Sequence, residues 1–437
     1  MPVANILFIY PSMLQRIKSI LGIGKVAKED IATSKTFCMM PWVHLHVTQY
    51  GTVTPCCQAP WDEANAFGNI NKQSIEDIWN SKGIKEFRKT LAKDQRDTRC
   101  NGCYVKEEAN LYSLRKATNE YYLHHFDRVI NMKGDGSIDA EPVYFDIRFS
   151  NFCNFKCRIC GPWSSSSWFR EAEELGWVEG KQRLTQAVED EDAFFEQFKK
   201  YLPHIEEIYF AGGEPLMMDQ HYRILDMLLE AGLTNTYLRY NTNFSTFSYK
   251  GKDIIEDYWK KFTNIFLCAS LDDNHARGEI QRKGQNWNKV LDKRKLLMQE
   301  CPHIDFMLAP TVSILNVFNL PAFHREWTEL GLVDVSAIFP SLLMQPEHYN
   351  IKAMPADMKA QVTTLYNQHY KWIMAQPTTD EFVRSTVANE FLRCIDYMNA
   401  EDMSSYLPAL KQQSIAIDAL RSENLADDAP ELKTLLQ

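Results

Sequence analysis

From residue 143 to residue 340, short apolar runs alternate with amphipathic stretches, and polar turns separate them. The runs have the length and the β-branched or aromatic content of strands. The predicted strands are Val143–Phe149, Glu207–Ala211, Tyr237–Thr242, Ile265–Leu271, Asp305–Ile314 and Val333–Phe339. The predicted helices between them include Tyr222–Leu229, Trp287–Leu297 and Ala322–Leu330. This succession predicts an α/β fold with a parallel sheet and outer helices, either open or curled into part of a barrel.

The pattern changes on both sides of this α/β region. Before it lies a loop-rich stretch that contains many cysteines. After it the chain has a helical pattern to its end, and we expect this region to have a packing or dimerising role. The boundaries predicted from these changes are an N-terminal segment 1–34, a cysteine-rich domain 35–126, a linker 127–142, the α/β domain 143–340 and a helical C-terminal extension 341–437.

Within the cysteine-rich domain, Val43–Val47 and Thr52–Thr54 predict a hairpin that turns at Gly51. His44 and His46 alternate with apolar residues and so share one face of the first strand. We expect that face to be the outer, solvated one, although a metal role for the two histidines remains open. Asn110–Phe126 predicts a helix that links this domain to the next.

Composition describes a folded globular protein, with 45% hydrophobic and 24% charged residues among 437. A net charge of −9 disfavours nucleic acid as a partner. No apolar run approaches the ~18 residues of a membrane-spanning helix. The short apolar run Ile6–Tyr10 also lacks the basic segment that precedes a signal-peptide core. We therefore expect a soluble, cytoplasmic protein without a membrane partner.

The eleven cysteines are the most informative residues. Their odd number, without a secretion signal, argues against a disulfide framework. Cys268, Cys301 and Cys394 are scattered among apolar neighbours and are interpreted as small core residues. The other eight fall into two groups: Cys38, Cys56, Cys57, Cys100 and Cys103, and then Cys153, Cys157 and Cys160. Such grouping predicts thiolate chemistry.

The second group has the spacing i, i+4 and i+7 just after the first predicted strand of the α/β domain. A loop so placed can direct three thiolates at one point. Three thiolates hold three corners of a four-iron, four-sulfur (4Fe–4S) cube and leave one iron open, as a catalytic site requires. The alternative is a zinc site, but no further Cys or His occurs between Cys160 and His204 to complete it.

This Cys-x3-Cys-x2-Cys sequence after a first strand resembles the radical S-adenosylmethionine (SAM) superfamily, which implies a partial six-stranded βα barrel. Further matches follow at successive strand ends. Gly212-Gly213-Glu214-Pro215 resembles the family's GGEP motif, which meets the amino group of SAM. Asn241-Thr242-Asn243 resembles the ribose-contacting end, with Asn243 as a cofactor-binding residue. Ser270 ends the next strand, and Arg282 resembles the arginine that pairs with the SAM carboxylate. Ile159 stands where many members have an aromatic residue against the adenine.

The first group of cysteines resembles the SPASM/twitch auxiliary-cluster domain, which usually follows the barrel and here precedes it. The resemblance extends to Cys38-Met39-Met40-Pro41-Trp42, to Gly68-Asn69-Ile70 and to the closing Cys100-Asn101-Gly102-Cys103. It implies one auxiliary 4Fe–4S cluster held by Cys38, Cys56, Cys100 and Cys103, with Cys57 as an alternative to its neighbour Cys56. A structural four-cysteine zinc site is the competing interpretation.

Together the two resemblances imply an enzyme that cleaves SAM reductively to a 5′-deoxyadenosyl radical and abstracts hydrogen from a small-molecule or peptide substrate. The auxiliary cluster would accept the substrate's electron, so that the net reaction is an oxidation, and a flavodoxin or ferredoxin would act as reductant. Only 37 residues precede Cys38, so we expect no winged-helix leader-peptide domain there. The alternative from another class is an iron–sulfur or zinc protein that binds a partner without turnover.

Overall fold

A computed structural model describes residues 34–108, 112–178, 183–378 and 380–437 of the chain. The described strands are β1 (His44–Val47), β2 (Thr52–Thr54), β3 (Gly68–Asn69), β4 (Tyr144–Ile147), β5 (Lys156–Cys157), β6 (Glu207–Phe210), β7 (Tyr237–Thr242), β8 (Ser248–Tyr249), β9 (Lys252–Asp253), β10 (Ile265–Ala269), β11 (Arg282–Lys283), β12 (Asp305–Leu308), β13 (Thr311–Val312) and β14 (Ser341–Leu342).

The described α-helices are α1 (Met40–Val43), α2 (Ile75–Trp79), α3 (Lys82–Ala92), α4 (Asn101–Glu108), α5 (Leu114–Tyr122), α6 (Asp127–Ile130), α7 (Phe169–Glu174), α8 (Glu191–Phe198), α9 (Asp219–Glu230), α10 (Ile254–Asp257), α11 (His275–Gln281), α12 (Trp287–Glu300), α13 (Leu320–Glu329), α14 (Ala356–Ala375), α15 (Glu381–Asn399), α16 (Leu407–Arg421), α17 (Leu425–Asp428) and α18 (Lys433–Leu436). Short 3-10 turns join several of them.

One sheet of eight strands, in the order β12-β10-β7-β6-β4-β1-β2-β3, organises the molecule. The strands from β12 to β1 are all parallel, whereas β2 and β3 continue the sheet antiparallel. The parallel strands with helices outside them form a partial, TIM-like α/β barrel, and this confirms the predicted fold class. The parallel pairing of β1 with β4 was not predicted, and it makes the cysteine-rich segment continuous with the barrel sheet.

The outer face of the sheet is apolar and packs against helices. Phe145 of β4 meets Phe198 of α8 with ring centroids 5.2 Å apart, and Phe306 of β12 stacks on Trp327 of α13 at 6.1 Å. Each such fully buried ring contributes roughly 1.5–3 kcal/mol to folding. Because side chains alternate along a strand, the intervening residues point to the inner face of the barrel, where the chemistry lies.

The last predicted barrel strand, Val333–Phe339, is wrong. Asp334 accepts hydrogen bonds from the backbone N–H and the hydroxyl of Ser336 at 2.9 and 2.5 Å, so this stretch begins as a turn. Only an isolated parallel bridge between Leu308 and Ile338 remains. Local side-chain bonds to the backbone compete with sheet formation, and here they prevail.

The predicted strand Asp305–Ile314 is divided in two. β12 ends at Leu308, shortly before Pro310, which has no N–H to give to a ladder. β13 then pairs in parallel with β14 outside the main sheet. The other predicted barrel strands are present, β7 with the bounds predicted and β4, β6 and β10 one to three residues shorter.

The expectation of an outer face for His44 and His46 is also wrong, because both side chains are buried. The hairpin of β1 and β2 is present, but β1 lies between β2 and β4 and so has a neighbour on each side. Its histidine face is therefore turned into the barrel.

The described part of the C-terminal extension is helical, as predicted, with α14 and α15 packed as a pair. The linking helix is α5, and Asn110, where the prediction began, lies outside the described residues. The N-terminal segment 1–34 also lies outside them, except for Ser34. The domain boundaries remain predictions. No helix within the described ranges is long and apolar enough to cross a bilayer.

Candidate active site

The loop after β4 brings Cys153, Cys157 and Cys160 together. Cys153 and Cys157 are buried in one small cluster, and Cys160 packs against it. Burial raises the pKa of the Cys153 thiol to about 12, whereas a hydrogen bond from Cys160 lowers the pKa of Cys157. Convergent thiols with little solvent are suited to bind a metal, because a bound cation supplies the charge that ionises them.

The residues that follow the cysteines hold this loop in place. Ser165 and Ser167 donate to the carbonyls of Phe155 and Cys153 at 2.5 and 2.6 Å, and the indole N–H of Trp168 donates to the carbonyl of Cys157 at 2.9 Å. These bonds give donors to backbone carbonyls that would otherwise have no hydrogen-bond partner in the irregular loop. Ser165, Ser167 and Trp168 therefore hold the cysteine loop in position.

A two-stranded antiparallel ribbon of β5 and β11 places Arg282 opposite Cys157. The Arg282 guanidinium lies 2.7 Å (Nε) and 2.9 Å (Nη2) from the carboxylate of Asp272, and its Nη1 lies 3.8 Å from the Cys157 sulfur. Asp272 also accepts from the backbone N–H of Thr311 at 2.8 Å. Although burial alone would lower it, the pKa of Arg282 is raised, chiefly by Asp272. A fixed positive charge thus lies beside the thiols.

The loop Gly212-Gly213-Glu214-Pro215 packs directly on the cysteine loop. The N–H of Glu214 donates to the carbonyl of Phe152 at 2.7 Å. A Cβ atom at Gly213 would lie 2.1 Å from that same oxygen, so only glycine permits this approach. Gly212 has a φ of +129°, and Pro215 begins a 3-10 turn that ends at Met217.

The Glu214 carboxylate is buried and directed at the end of β7. It accepts from the Thr242 hydroxyl and the Asn243 N–H, each at 2.7 Å, and from the Leu216 N–H at 3.1 Å. Burial nevertheless raises the pKa of Glu214 to about 7. The carboxylate is thus costly to keep charged without a cation nearby.

Two more strand ends complete this edge. The amide of Asn243 lies 3.8 Å from the Cys153 sulfur and donates to the side-chain oxygen of Asn154 at 2.8 Å. The N–H of Ser270 donates to the carbonyl of Thr242 at 2.8 Å. Glu214 after β6 and Asn243 after β7 therefore meet the cysteine loop, and Ser270 after β10 lies beside the end of β7. All of them lie at the carboxyl edge of the sheet, where ligands bind in parallel α/β folds.

The inner face of the barrel carries buried polar side chains that sequence reasoning missed. By register, His46, Asp146, Tyr209 and Arg239 form one layer across four neighbouring strands. In that layer the ring Nε2 of His46 lies 3.9 Å from Asp146, and its Nδ1 lies 2.8 Å from the Thr54 hydroxyl. Burial holds the pKa of His46 well below its ordinary value, so the imidazole is neutral.

The charged groups on this face are paired with each other. Arg148 lies 2.7 Å from Asp146, and Arg239 lies 3.2 Å from Glu207, which also accepts from the Tyr122 hydroxyl at 2.6 Å. Polar and apolar residues that alternate along the predicted strands could have revealed this polar inner face. A parallel strand that packs against apolar groups on both faces has, by contrast, a continuous apolar sequence.

A second set of thiols lines a small cavity of about 20 Å³ in the cysteine-rich segment. Its lining includes Cys38, Cys56, Cys100 and Cys103 together with Arg115. Burial raises the pKa of all four thiols, that of Cys100 to about 12. Four thiols around one cavity form the complete donor set of a closed metal site, either an iron–sulfur cluster or zinc.

Cys57 does not line this cavity. Apart from burial, its thiol is influenced most by Asp146 and then by Arg148, the charged pair on the inner face of the barrel. Cys56 and Cys57 are thus directed to different places, although they are adjacent in sequence.

In comparison with known proteins, each of the two cysteine-containing regions matches a family model. A model described as the radical SAM superfamily matches residues 147–309, and one described as an iron–sulfur cluster-binding domain, SPASM, matches residues 38–104. The chain contains a radical SAM domain, preceded by a SPASM domain. These domains imply a catalytic and an auxiliary 4Fe–4S cluster and SAM as cofactors.

Solved structures similar to part of this chain include the anaerobic sulfatase-maturating enzyme anSMEcpe with bound AdoMet, at 16% identity and a TM-score of 0.37. The alignment covers 51% of this chain and 57% of that one, so the similarity spans less than two thirds of the maturating enzyme. The same enzyme with the Cp18Cys peptide aligns at 14% identity and a TM-score of 0.36, covering 51% and 58%. TYW1 with a lysine-pyruvate adduct bound aligns at 13% identity and a TM-score of 0.29, and the alignment covers 56% of this chain and 76% of that one. No curated protein matches the chain.

The helical C-terminal extension contacts the radical SAM cysteine loop directly. Arg158, between Cys157 and Cys160, pairs with Asp418 and with Glu423, the latter at 2.8 Å. Arg421 donates to the Lys156 carbonyl at 2.9 Å. We call Arg158, Asp418, Arg421 and Glu423 the C-terminal clamp.

Proposed function

We propose that the protein cleaves SAM reductively to methionine and a 5′-deoxyadenosyl radical, which abstracts hydrogen from a substrate held in the barrel. The observation that carries this proposal is the convergence of Cys153, Cys157 and Cys160 beside the ends of four barrel strands. A protein that bound a partner without turnover would not need a three-thiol site with one metal position open.

In this proposal the three thiolates hold the catalytic cluster. Glu214 accepts from the SAM ammonium, Arg282 meets its carboxylate, and Asn243 and Ser270 contact the rest of the cofactor, with Gly212, Gly213 and Pro215 shaping the approach. Two features of the site support these roles. The buried Glu214 carboxylate would be stabilised by an added cation, and the Arg282 guanidinium already lies 3.8 Å from a cluster thiol.

We further propose that Cys38, Cys56, Cys100 and Cys103 hold the auxiliary cluster, and that it accepts an electron from the substrate, so that the net reaction is an oxidation. The shared lining of one cavity supports this ligand set over one that contains Cys57. A flavodoxin or ferredoxin would supply the electron for SAM cleavage. We place the reaction in the cytoplasm, which keeps thiols reduced, and none of the eleven cysteines forms a disulfide.

The substrate proposed is a polar small molecule or a peptide side chain. Its support is the inner face of the barrel, where the buried carboxylates of Asp146 and Glu207 pair with the partly exposed Arg148 and Arg239 beside neutral His46. A substrate that replaced hydrogen bonds to such groups would be recognised strongly, whereas an apolar one would leave them unpaired.

Anaerobic reconstitution followed by metal and product analysis tests the proposal. We expect about eight irons per chain, four for each cube, and 5′-deoxyadenosine on addition of dithionite and SAM. The triple variant Cys153→Ala/Cys157→Ala/Cys160→Ala should keep about four irons and form no 5′-deoxyadenosine, whereas Cys301→Ala, a buried cysteine outside both sites, should behave as the parent. Retained cleavage in the triple variant would contradict the assignment, and stoichiometric zinc with little iron would favour the partner-binding alternative.

The electron-acceptor role needs a separate test. Cys38→Ala should lose the electron paramagnetic resonance signal of one reduced cluster and still form 5′-deoxyadenosine, because SAM cleavage uses only the barrel cluster. Loss of cleavage in a variant that circular dichroism shows to be folded would argue against two separate roles.

A further inference from the structure

A cluster of metal-binding groups lies at the end of the barrel opposite the cysteine loop. It consists of His124 and His125, in the 3-10 turn after α5, and Glu206, the residue before β6. One ligand atom from each of the three lies within 4.8 Å of the others. Among the described residues, this is a mixed histidine–carboxylate set that the proposed radical chemistry does not use.

The backbone holds the three groups together firmly. The N–H of Glu206 donates to the carbonyl of Val143, at the start of the first barrel strand, at 2.8 Å. The turn that carries the histidines follows α5, whose Tyr122 hydroxyl bonds Glu207 at 2.6 Å. Each ligand thus belongs to an element anchored on the barrel.

The orientation of the His124 ring favours a metal ligand. Its Nδ1 lies 3.1 Å from the carbonyl of Tyr121, an acceptor only, so Nδ1 must carry the proton. In the neutral imidazole the Nε2 lone pair then points at Glu206 Oε2, 3.3 Å away. Two acceptors at that distance need a proton or a cation between them. A backbone carbonyl that fixes the far nitrogen is also the usual partner of a metal-binding histidine.

The second histidine gives an independent observation. The Nε2 atom of His125 is buried and lies 2.8 Å from Glu206 Oε1, yet the approach does not have hydrogen-bond geometry, and the atom has no such partner among the described residues. The buried Nε2 of His125 and the Oε1 of Glu206 thus lie close together without a hydrogen bond between them. Such an arrangement is suited to a cation.

We propose that His124, His125 and Glu206 bind one zinc ion. Two imidazoles and one carboxylate form the His2Glu donor set of zinc sites that keep a coordination position open. Glu206 also lines a cavity of about 410 Å³ at this end of the barrel, together with Tyr122, Tyr237 and other residues. An ion held here would therefore lie at the cavity rim, with its remaining position available to water or to an oxyanion of a ligand in the cavity.

The test uses the protein with both clusters reconstituted, so that their cysteines are occupied. After treatment with a chelator that leaves the iron content unchanged, zinc is titrated by calorimetry into the parent and into His124→Ala, His125→Ala and Glu206→Gln. We expect one zinc per chain in the parent and a loss of affinity of roughly 100-fold or more in each variant, because even indirect support of a ligand is worth 10–100-fold.

A matched control separates a metal site from an ordinary surface ion pair. His275 lies 3.0 Å from Glu326, and this pair has one histidine where the proposed site has two. His275→Ala should bind zinc as the parent does. X-ray absorption at the zinc edge should show only nitrogen and oxygen ligands, near 2.0–2.2 Å, without the sulfur shell near 2.3 Å that zinc in a cysteine site would give. Equal zinc affinity in the parent and Glu206→Gln, or a sulfur shell, would overturn the proposal.

Discussion

The C-terminal clamp allows a quantitative prediction, because Arg158, between two cysteines of the cysteine loop, is fully buried. In Arg158→Met the carboxylates of Asp418 and Glu423, exposed by only 16% and 12%, would lose their shared cation. Leaving a buried charge unpaired costs about 3–5 kcal/mol. We expect the lower end, about 3 kcal/mol, because each carboxylate keeps another partner. These partners are the Leu425 N–H at 2.9 Å for Asp418 and the Lys283 ammonium at 2.6 Å for Glu423.

Anaerobic urea unfolding of the reconstituted protein, followed by tryptophan fluorescence, measures this loss. Trp168 is a local reporter, because Arg421 of the clamp lies 4.5 Å above its ring. The same variant should release iron to a chelator faster than the parent, since Arg158 lies between Cys157 and Cys160. Arg170→Met is the matched control. It breaks an ion pair with Glu174 that is 89% and 44% exposed, and it should change the free energy of unfolding by less than about 0.5 kcal/mol.

A compensating variant distinguishes lost pairing from lost packing. Arg158→Met/Asp418→Asn/Glu423→Gln removes the stranded charges together with their partner, and it should recover to within about 1 kcal/mol of the parent. If Arg158→Met unfolds at the same urea concentration as Arg170→Met, the reasoning is refuted, and the extension does not hold the loop through this network.

Three further predictions concern single positions. Cys57→Ser should keep both clusters, by iron count and electron paramagnetic resonance, whereas Cys56→Ser should lose the auxiliary one, because only the latter thiol lines the cavity. Gly213→Ala places a Cβ atom 2.1 Å from a carbonyl of the cysteine loop and should cost about 1–3 kcal/mol in urea unfolding and weaken SAM binding; Gly134→Ala, where nothing lies within 4 Å, should do neither. Burial raises the pKa of Asp305 to about 6, so its ionisation destabilises the fold fully above about pH 6 and not below about pH 4. Asp305→Asn should therefore stabilise the protein at pH 8 by about 1–2 kcal/mol, after allowance for solvent screening, and leave unfolding at pH 3.5 unchanged.

The features predicted well from sequence are those set by local spacing. The apolar runs located β4, β6, β7 and β10 to within a few residues, because a buried strand must be apolar on its outer face. The cysteine loop followed from the spacing of its thiols and from its place after a strand. In a parallel sheet the residues after each strand lie at one edge, so the predicted positions at Glu214, Asn243 and Ser270 met there without knowledge of the pairing order.

The features that were missed depend on partners remote in sequence. His46 lies in register with Asp146, one hundred residues later, and no local pattern indicates that β1 joins the barrel in parallel. The contact of Arg158 with Asp418 spans 260 residues. Hydrophobic periodicity shows which face of an element is buried but not against which element, so both features required the fold.

The doublet Cys56-Cys57 joins the two parts of the proposed chemistry. Its first thiol lines the cavity of the auxiliary cysteines, and the charged pair of Asp146 and Arg148 on the inner barrel face influences the second. The hairpin of β1 and β2 is shared between the cysteine-rich segment and the barrel, and the two faces of a strand point to opposite sides. Cys56 and Cys57, which follow β2, therefore lie between the barrel interior and the cavity of the auxiliary cysteines. His46, on the same hairpin, faces the barrel for that reason. The SPASM segment therefore contributes part of the barrel wall as well as the cavity proposed for the auxiliary cluster. Substitutions at its inner residues should thus alter substrate recognition while leaving both proposed clusters intact.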